Sequence, residues 1–315
     1  MTVIKKDIAM IIVFLILGIA SATTEDVVIT EPECSTCILV NSKCYNVSHI
    51  LNLDAPFRST VVIPKMGILR AKNVLFYSFE PLFEDPEYYK VGFINLDESN
   101  ATMIINSGHR LNFGTFDMDQ DNKLVYFGGD DGIYVLDTNS NQMSWYSSRG
   151  DTITNIFYKN FVYFTIYGEK GIKVKRSDDF ELLYEDVLVK KFLITKYDVF
   201  VILSNAGLFV SKGDVMHSIS KNAFIRGITM DLDGTIYAWW IDELYKIVLT
   251  KDLIHSRLVK IAEIPIISSM TFDNENNILF TLKKSLYVMK ETDTGCGVIE
   301  PDKDSFRIEV INYST

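Results

Sequence analysis

The sequence predicts an all-β protein folded as a six-bladed β-propeller that is closed by an N-terminal strand. Two observations support this prediction. Short runs of β-branched and aromatic residues alternate with Asn, Asp and Gly turns, and these runs recur at a nearly constant interval. No long stretch has the apolar spacing of an amphipathic helix. A repeat of about 40 residues with four strands per unit is typical of propeller blades.

Each repeat is predicted to contain a first strand, an acidic turn, a second strand with an aromatic residue, a glycine-containing turn and two further strands. The clearest example starts at Phe116, reaches its second strand at 124–127 and continues through Gly128-Gly-Asp-Asp-Gly132. Asp, Asn and Gly suit these turns because they tolerate turn geometry. The aromatic residues of the second strands include three successive steps of 37 residues and mark six blades: Phe76, Tyr126, Tyr163, Phe200, Tyr237 and Phe280.

The closing strand is predicted from a similarity between two distant segments. Residues 46–58 resemble residues 215–226, which form the outer strand of one blade and lead into the next. The early segment therefore reads as an outer strand with no blade before it, and we expect it to complete the sixth blade. A rival closing strand is Phe306–Ile311.

The N-terminus has the pattern of a secretory signal peptide. Lys5 and Lys6 precede an uncharged apolar run that ends in Ala20-Ser-Ala22, and cleavage is predicted after Ala22. A membrane anchor is the alternative, but the apolar run is shorter than a span of about 20 residues. The predicted organisation is a signal peptide at 1–22, an extension with a cysteine hairpin at 23–43, the propeller at 44–300 and a C-terminal tail at 301–315.

The four cysteines agree with export. An even number in a secreted chain suggests two disulfides, and three pairings of Cys34, Cys37, Cys44 and Cys296 are possible. Cys37 and Cys44 flank a short hairpin that they can cross, which would leave Cys34 to join Cys296 and lock the ring. A redox or zinc role for the Cys-x-x-Cys pair is the alternative. Glycosylation sequons begin at Asn46, Asn100 and Asn312.

The charge balance limits the partners. The chain has 41 acidic and 31 basic residues, which gives a net charge of −10. Nucleic acids and anionic membranes are bound through Lys and Arg, so we expect neither as a partner. We expect a secreted monomer whose partner is a small molecule.

Sequence motifs of common enzyme classes are absent. The chain has no His-Glu-x-x-His, Gly-x-Ser-x-Gly, phosphate-binding loop or dinucleotide fingerprint. We therefore predict a protein with no enzymatic activity, no cofactor and no metal site. One alternative is a lactonase or esterase of the propeller type, which holds Ca²⁺ with oxygen ligands from several blades. Another is a protein-binding propeller that uses the insertion near Phe83-Glu-Asp85.

Basic residues recur in the turns that lead into the first strands. A propeller directs these turns toward one end of its central channel, so the cations should gather at a single mouth. Arg and Lys there would hold the acidic groups of a flat small molecule, and nearby polar and aromatic side chains would complete the site. The predicted ligand-binding residues are Arg58, Arg110, Asn155, Lys191, Arg226 and Trp240. The structural alternative is that each Arg pairs with a nearby carboxylate and that both Trp239 and Trp240 pack in the core.

The order and spacing of three segments resemble the ommochrome-binding proteins of moth and butterfly haemolymph. These segments are Cys37–Tyr45, Gly128–Tyr134 and the stretch from Ile225-Arg-Gly-Ile-Thr229 to Asp233-Gly-Thr-Ile-Tyr237. The resemblance runs from about Cys34 to Met289. It implies a secreted, non-enzymatic protein that binds tryptophan-derived phenoxazinone pigments, which are flat and carry acidic groups. No family motif assigns the binding residues.

Overall fold

A computed structural model describes residues 37–55, 57–81, 90–98, 103–104, 112–213, 215–264 and 267–292. Within these ranges the chain forms six small antiparallel sheets and a 3₁₀ turn at Arg70–Lys72. The first strands of successive blades contact one another around a ring, and the first strand of the sixth blade contacts that of the first. This arrangement confirms the predicted six-bladed propeller. In the described ranges no helix has the length and apolar character needed to cross a bilayer.

The strands follow the predicted order within each blade. Blade 1 contains β3 (Lys65–Leu69), β4 (Val74–Phe79), β5 (Lys90–Asn95) and β6 (Met103–Ile104), and blade 2 contains β7 (Phe113–Asp119), β8 (Leu124–Gly129), β9 (Gly132–Asp137) and β10 (Gln142–Ser147). Blade 3 contains β11 (Ile153–Lys159), β12 (Phe161–Ile166), β13 (Ile172–Arg176) and β14 (Asp179–Leu183), and blade 4 contains β15 (Val189–Ile194), β16 (Phe200–Ser204), β17 (Gly207–Lys212) and β18 (Val215–Ser220). Blade 5 contains β19 (Gly227–Met230), β20 (Ile236–Trp240), β21 (Glu243–Val248) and β22 (Arg257–Glu263). Blade 6 contains β23 (Ser269–Phe272), β24 (Ile278–Leu282) and β25 (Ser285–Glu291), together with β1 (Ile38–Val40) and β2 (Lys43–Asn52) from the N-terminal part of the chain.

The N-terminal closure predicted from the sequence is confirmed. Strand β2 pairs antiparallel with β25 from Tyr45 opposite Glu291 to Asn52 opposite Ser285, and β1 adds a fifth strand to the same sheet. The Asn41 N–H also donates to the Ile261 carbonyl oxygen in β22 at 2.8 Å, which ties this hairpin to blade 5. The rival closing strand lies outside the described residues.

The aromatic markers all lie on second strands and join neighbouring blades. Phe76 packs near Phe116 with ring centroids 6.0 Å apart, and Tyr126 stacks on Tyr158 at 5.4 Å. Tyr237 packs against Phe272 in a tilted arrangement with ring centroids 5.2 Å apart. These rings fill the space between adjacent twisted sheets, where large aromatic side chains bury the most apolar surface. An aromatic residue therefore recurs on the second strand because each interface between neighbouring blades needs a large apolar side chain to fill it.

The acidic turns repeat one hydrogen-bond pattern. Asp119, Asp231 and Asp273 each end the first strand of a blade or directly follow it, and each Oδ1 accepts backbone N–H groups a few residues ahead. A short carboxylate side chain at this position satisfies the amides of a tight turn. The Asp and Asn residues of the repeat are thus explained by turn geometry.

The glycine turn of blade 2 gives a first prediction. Gly132 has a φ of +92°, and a Cβ added there would collide with the backbone carbonyl oxygens of Ser147 and Ser148. Gly168 has a similar φ of +75°, but nothing lies within 4 Å of an added Cβ. We expect Gly168→Ala to lower the free energy of unfolding by about 1 kcal/mol through backbone strain. Gly132→Ala should cost about 2 kcal/mol more, because the carbonyls must also move. Urea denaturation of both variants measures this difference, and equal losses would contradict it.

Several predicted features lie outside the described residues. These are the signal peptide, the C-terminal tail, the insertion around Phe83-Glu-Asp85, and the residues Cys34, Asn100, Arg110, Cys296 and Asn312. Cys37 and Cys44 are both disulfide-bonded. Asn46 lies on β2 and is half-buried. The pairing of the cysteines and the use of the sequons stay predictions.

Candidate functional site

The first strands of all six blades surround a central cavity of about 1020 Å³. We call the end of this cavity where the first strands begin the mouth. Three of these strands carry a bulge near the mouth: the pairing shifts between Phe113 and Thr115, between Ile153 and Asn155, and between Val189 and Lys191. A bulge inserts one unpaired residue and redirects the side chains beside it. The bulges therefore help to set which side chains line the mouth.

Two of the lysines that line the cavity lie on opposite sides of the ring. Lys65 in β3 donates from Nζ to the Ile156 carbonyl oxygen of blade 3 at 2.9 Å. Lys191 in β15 donates from Nζ to the Pro64 carbonyl oxygen of blade 1 at 3.0 Å. Both side chains are partly buried. The cavity thus holds two amino groups whose hydrogen bonds run between blades 1, 3 and 4.

Burial destabilises the charged forms of both lysines, and the charge of Lys65 adds to this effect on Lys191. Burial, together with the nearby charge of Lys65, lowers the pKa of Lys191 to about 8. Burial also lowers the pKa of Lys65, and the charge of Asp117 opposes that change. The Asp117 carboxylate accepts the Tyr158 N–H at 2.7 Å, and burial raises its pKa against the effect of Lys65. The cavity wall carries the basic side chains of Lys65, Arg70, Lys190 and Lys191 against the carboxylates of Asp117 and Asp130. Basic groups outnumber acidic ones, so the cavity favours an added negative charge.

Polar and aromatic groups occupy other parts of the cavity wall. Asn155 Nδ2 donates to the Lys190 carbonyl oxygen at 2.7 Å and to Thr165 Oγ1 at 3.0 Å. Trp239 is 3% exposed and packs against Gly227, where any Cβ would collide with its indole ring. Its Nε1 has no hydrogen-bond partner among the residues that the structure describes. The wall thus offers an indole and an amide beside the lysine pair.

Exposed apolar side chains lie at the strand ends around the mouth. Tyr167 follows β12 and is 72% exposed, and Phe224 precedes β19 and is 73% exposed. Leu188 and Ile241 occupy the corresponding positions beside β15 and β20 and are also exposed. We call these four residues the rim, and of them Tyr167 also lines the cavity.

The structure brings together only part of the predicted ligand-binding set. Asn155 and Lys191 line the central cavity, as predicted. Arg58 instead donates from Nε to the Pro81 carbonyl oxygen at 3.2 Å and pairs with Glu80 at 3.5 Å, which is the structural alternative. Arg226 is exposed and does not belong to the cavity wall. Arg110 lies outside the described residues.

The choice between the two tryptophans requires a correction. Trp240 was predicted as the pocket residue, but it stacks on Phe224 with ring centroids 6.4 Å apart and lies outside the cavity wall. Trp239 lines the cavity instead. Adjacent residues of a strand point to opposite faces of the sheet, so the two indole rings lie on opposite faces of blade 5. Proximity to the turn was the wrong criterion.

Lys65 and Asp117 were missed by the sequence reasoning. Lys65 starts the first strand of blade 1, whereas the sequence pattern offered Arg58 as the cation that precedes that strand. Asp117 lies within β7, opposite Tyr126. The sequence does contain one signal for Lys65, the register of the strand pair. Phe76 pairs with Gly67, so Lys65 lies two residues earlier, at the mouth end of β3.

The donor groups of the cavity do not fit a calcium cage. Calcium takes six or more oxygen ligands, with carboxylates prominent among them. Here the interior presents Lys65 and Lys191 beside Asp117, and no group of three or more His, Cys, Asp or Glu suitable for a metal occurs in the described ranges. The described part of the cavity therefore does not form the carboxylate-rich cage that calcium prefers.

The lowered pKa of Lys191 gives a second prediction. Between about pH 8 and the ordinary lysine pKa of 10.5, the unfolded state holds a proton on this group that the folded state has lost. Stability therefore rises with pH across that window, and the burial penalty is fully present below it. Relative to Lys191→Met, the wild-type chain should gain up to about 3 kcal/mol of unfolding free energy as pH rises through the window. Denaturation of both proteins at several pH values measures this gain, and a constant difference would contradict it.

Comparison with known proteins supports the fold. No protein-family model and no curated protein matches this chain. Among solved structures, a putative gluconolactonase has a TM-score of 0.56 at 9% identity, over 79% of this chain and 92% of that chain. A gluconolactonase from Xanthomonas campestris has a TM-score of 0.53 at 10% identity, over 83% and 99% of the two chains. An inactive variant of virginiamycin B lyase from Staphylococcus aureus, solved with quinupristin, has a TM-score of 0.53 at 12% identity, over 78% and 99%.

These similarities overturn the prediction that the protein is not an enzyme. The prediction rested on missing linear motifs, yet solved proteins of this fold include gluconolactonases and a lyase. Propeller sites are assembled from single residues on separate blades, so a linear motif is a poor indicator of activity in this fold. At these identities the likeness itself establishes the fold alone.

Proposed function

We propose that the central cavity binds a small, ring-bearing organic acid and that Lys65 and Lys191 hold its acidic group. The observation that carries this proposal is the pair of partly buried amines inside a cavity of about 1020 Å³. Small-molecule sites usually enclose about 300–1000 Å³, so this cavity is large enough for a ligand of several fused rings.

Electrostatics explains why an acid is favoured. A charged amine in a poorly hydrated position is destabilised, and a nearby anion restores the interactions that it lost with water. Burial and the charge of Lys65 both destabilise the charged form of Lys191, whereas Asp117 stabilises the charged form of Lys65. A ligand carboxylate between the two amines supplies the missing negative charge. Binding should therefore raise the pKa of Lys191 and take up protons.

The ligand class that we favour is an ommochrome-type pigment in a secreted carrier. The resemblance of three segments to ommochrome-binding proteins supports this choice, and so does the chemistry of the wall. Such pigments are flat and acid-bearing, and Trp239 and Tyr158 belong to the same cavity wall as the lysine pair. Secretion belongs to the same proposal and rests on the N-terminal sequence pattern.

A titration with xanthommatin tests this function. When the pigment is added to purified protein, the visible absorption of the pigment should shift. Tryptophan fluorescence should be quenched, because Trp239 lies in the cavity wall. The matched control is the same pigment with its carboxyl groups esterified, which keeps the rings and removes the charge. Equal affinity for the acid and the ester would contradict the role of the lysines, and no binding of either would contradict the pigment.

A lactonase-like or esterase-like hydrolase is the second candidate. The solved structures of similar fold support this candidate better than they support pigment binding, because gluconolactonases are among them. Within the cavity, Lys191 has a pKa of about 8, near the range in which a general base works at neutral pH. A neutral Lys191 would take a proton from water as the water oxygen attacks an ester carbonyl, and the acyl C–O bond would then break. The Lys191 ammonium would return its proton to the departing alkoxide, which leaves as an alcohol.

Hydrolysis assays separate the two candidates. A panel of sugar lactones and aryl esters should be turned over by the wild-type chain, and Lys191→Met should abolish that turnover. Because the cavity does not fit a calcium cage, a chelator should leave the activity intact. Turnover that requires added metal would contradict this mechanism, and an inert protein would eliminate the candidate.

A further inference from the structure

Lys191 combines the two features that make a lysine amine nucleophilic in proteins. Its side chain is enclosed by the cavity wall, and Lys65 is a second cationic group close enough to repel its charge. Desolvation and a neighbouring cation both favour the neutral amine, whose lone pair attacks carbonyl carbon. The Nζ donates to the Pro64 carbonyl oxygen at 3.0 Å, which orients the amine within the cavity.

We propose that Lys191 is a covalent binding site for carbonyl compounds and forms an imine with an aldehyde or reactive ketone that enters the central cavity. This inference goes beyond the reversible binding of an acid. It assigns to the same cavity a second chemistry, which the proposed function does not require.

The step balances without any further reactant. The lone pair of the neutral amine forms a C–N bond to the carbonyl carbon, and the carbonyl π bond breaks to give a carbinolamine. Two protons from the former amine then leave with that oxygen as water, and a C=N bond remains. No atom changes its oxidation state overall, and water is the only product besides the imine.

The neighbouring groups distinguish Lys191 from the other lysines of the cavity. Lys190 precedes it in the chain and is exposed, so its ammonium group stays hydrated. Lys65 faces the carboxylate of Asp117, which stabilises its charged form. Lys191 experiences repulsion from Lys65 in addition to burial, and its pKa falls to about 8. About a tenth of the Lys191 side chains are therefore neutral at pH 7.

Lys65 restricts the carbonyl compounds that suit the site. Its ammonium group remains available to attract an anion once a ligand enters, and the aromatic surface of Trp239 belongs to the same wall. An aromatic aldehyde with an anionic substituent matches all three features: an electrophilic carbon for Lys191, a negative charge for Lys65 and a ring for the indole. The carbonyl class is therefore acid-bearing aromatic aldehydes and ketones.

Reductive trapping with pyridoxal 5′-phosphate tests the inference. This compound is an anionic aromatic aldehyde, and cyanoborohydride converts its imine into a stable secondary amine that peptide mass spectrometry locates. We expect Lys191 to be modified about tenfold or more faster than Lys190, because about a tenth of Lys191 is neutral at pH 7 within the enclosed cavity. Lys191→Arg keeps the positive charge and should remove this rapid modification.

Pyridoxine 5′-phosphate serves as the matched ligand, since an alcohol replaces its aldehyde and no imine can form. If it binds reversibly while Lys191 remains unmodified by the aldehyde, the imine inference fails and the acid-binding function stands. If Lys191 is labelled but the alcohol does not bind, the covalent site stands without the acid-binding function. Modification spread over exposed lysines, with Lys191 labelled no faster than Lys190, would overturn the inference.

Discussion

A chain that lacks residues 37–52 should fail to form a cooperatively folded propeller. These residues supply β1 and β2, and β2 occupies the place between β25 and β1 in the sheet of blade 6. Their loss removes the ladder from Tyr45–Glu291 to Asn52–Ser285 and leaves β25 as an exposed edge. It also uncovers the interface between blades 6 and 1.

The expected loss is comparable to the whole stability of a domain. Tyr45 and Val47 pack against the core cluster of blades 5 and 6, and Ile50 and Leu51 pack against the cluster that joins blades 6 and 1. Removal of these partly buried apolar side chains and Val40 costs on the order of 5–10 kcal/mol. Native domains are stable by only about 5–15 kcal/mol.

Circular dichroism and binding of a hydrophobic dye will measure the effect of the deletion. We expect no sharp thermal transition and strong dye binding. A synthetic peptide of residues 37–52 should restore the transition by adding the missing strand, and a scrambled peptide of the same composition should not. A truncated chain that melts cooperatively near the wild-type temperature would show that another segment closes the ring.

Replacement of both cavity lysines should abolish most of the affinity for an acidic ligand. Each hydrogen bond from a charged donor contributes about 2 kcal/mol, which corresponds to about a 30-fold change in affinity. Single variants give a mixed result, because removal of Lys65 also relieves the repulsion that lowers the pKa of Lys191. The double variant Lys65→Met and Lys191→Met avoids this compensation, and we expect it to weaken binding more than about 100-fold.

Arg226→Met is the matched control for the lysine double variant. Arg226 belongs to the set of cations predicted from the sequence, but the structure places it outside the cavity wall with an exposed side chain. We expect its removal to change the affinity less than about twofold, because solvent screens an exposed charge. Fluorescence titration compares the variants. If Arg226→Met lost more affinity than the double variant, the ligand would bind outside the central cavity, beside Arg226.

The sequence was sufficient to predict the ring because the repeat is encoded in side chains with a fixed physical task. An aromatic residue such as Tyr126 or Tyr237 must fill each blade interface, and an Asp such as Asp231 or Asp273 must satisfy each turn. The closing strand was predictable for a related reason. It repeats the outer-strand pattern of residues 215–226 without a blade before it.

The site was predicted only in part because its composition depends on details that a repeat does not contain. Lys191 and Asn155 follow bulges that shift the pairing of their strands, and a bulge leaves no plain sequence signature. Arg58 occupies the expected position in the sequence, but its side chain pairs with Glu80, which directly follows β4. Trp239 and Trp240 differ only in which face of β20 they occupy. Strand register and tertiary contacts decide which of these side chains reach the cavity, and composition and motif spacing contain neither.

A crystal structure of the protein with an aromatic organic acid in its channel is the most direct test of the central claim. The account predicts that the carboxylate of the ligand lies within hydrogen-bond distance of Nζ of both Lys65 and Lys191, with its ring on the wall that contains Trp239. A ligand bound beside Arg58 or Arg226, with the lysines still hydrogen-bonded to the Ile156 and Pro64 carbonyl groups and no ligand between them, would contradict it.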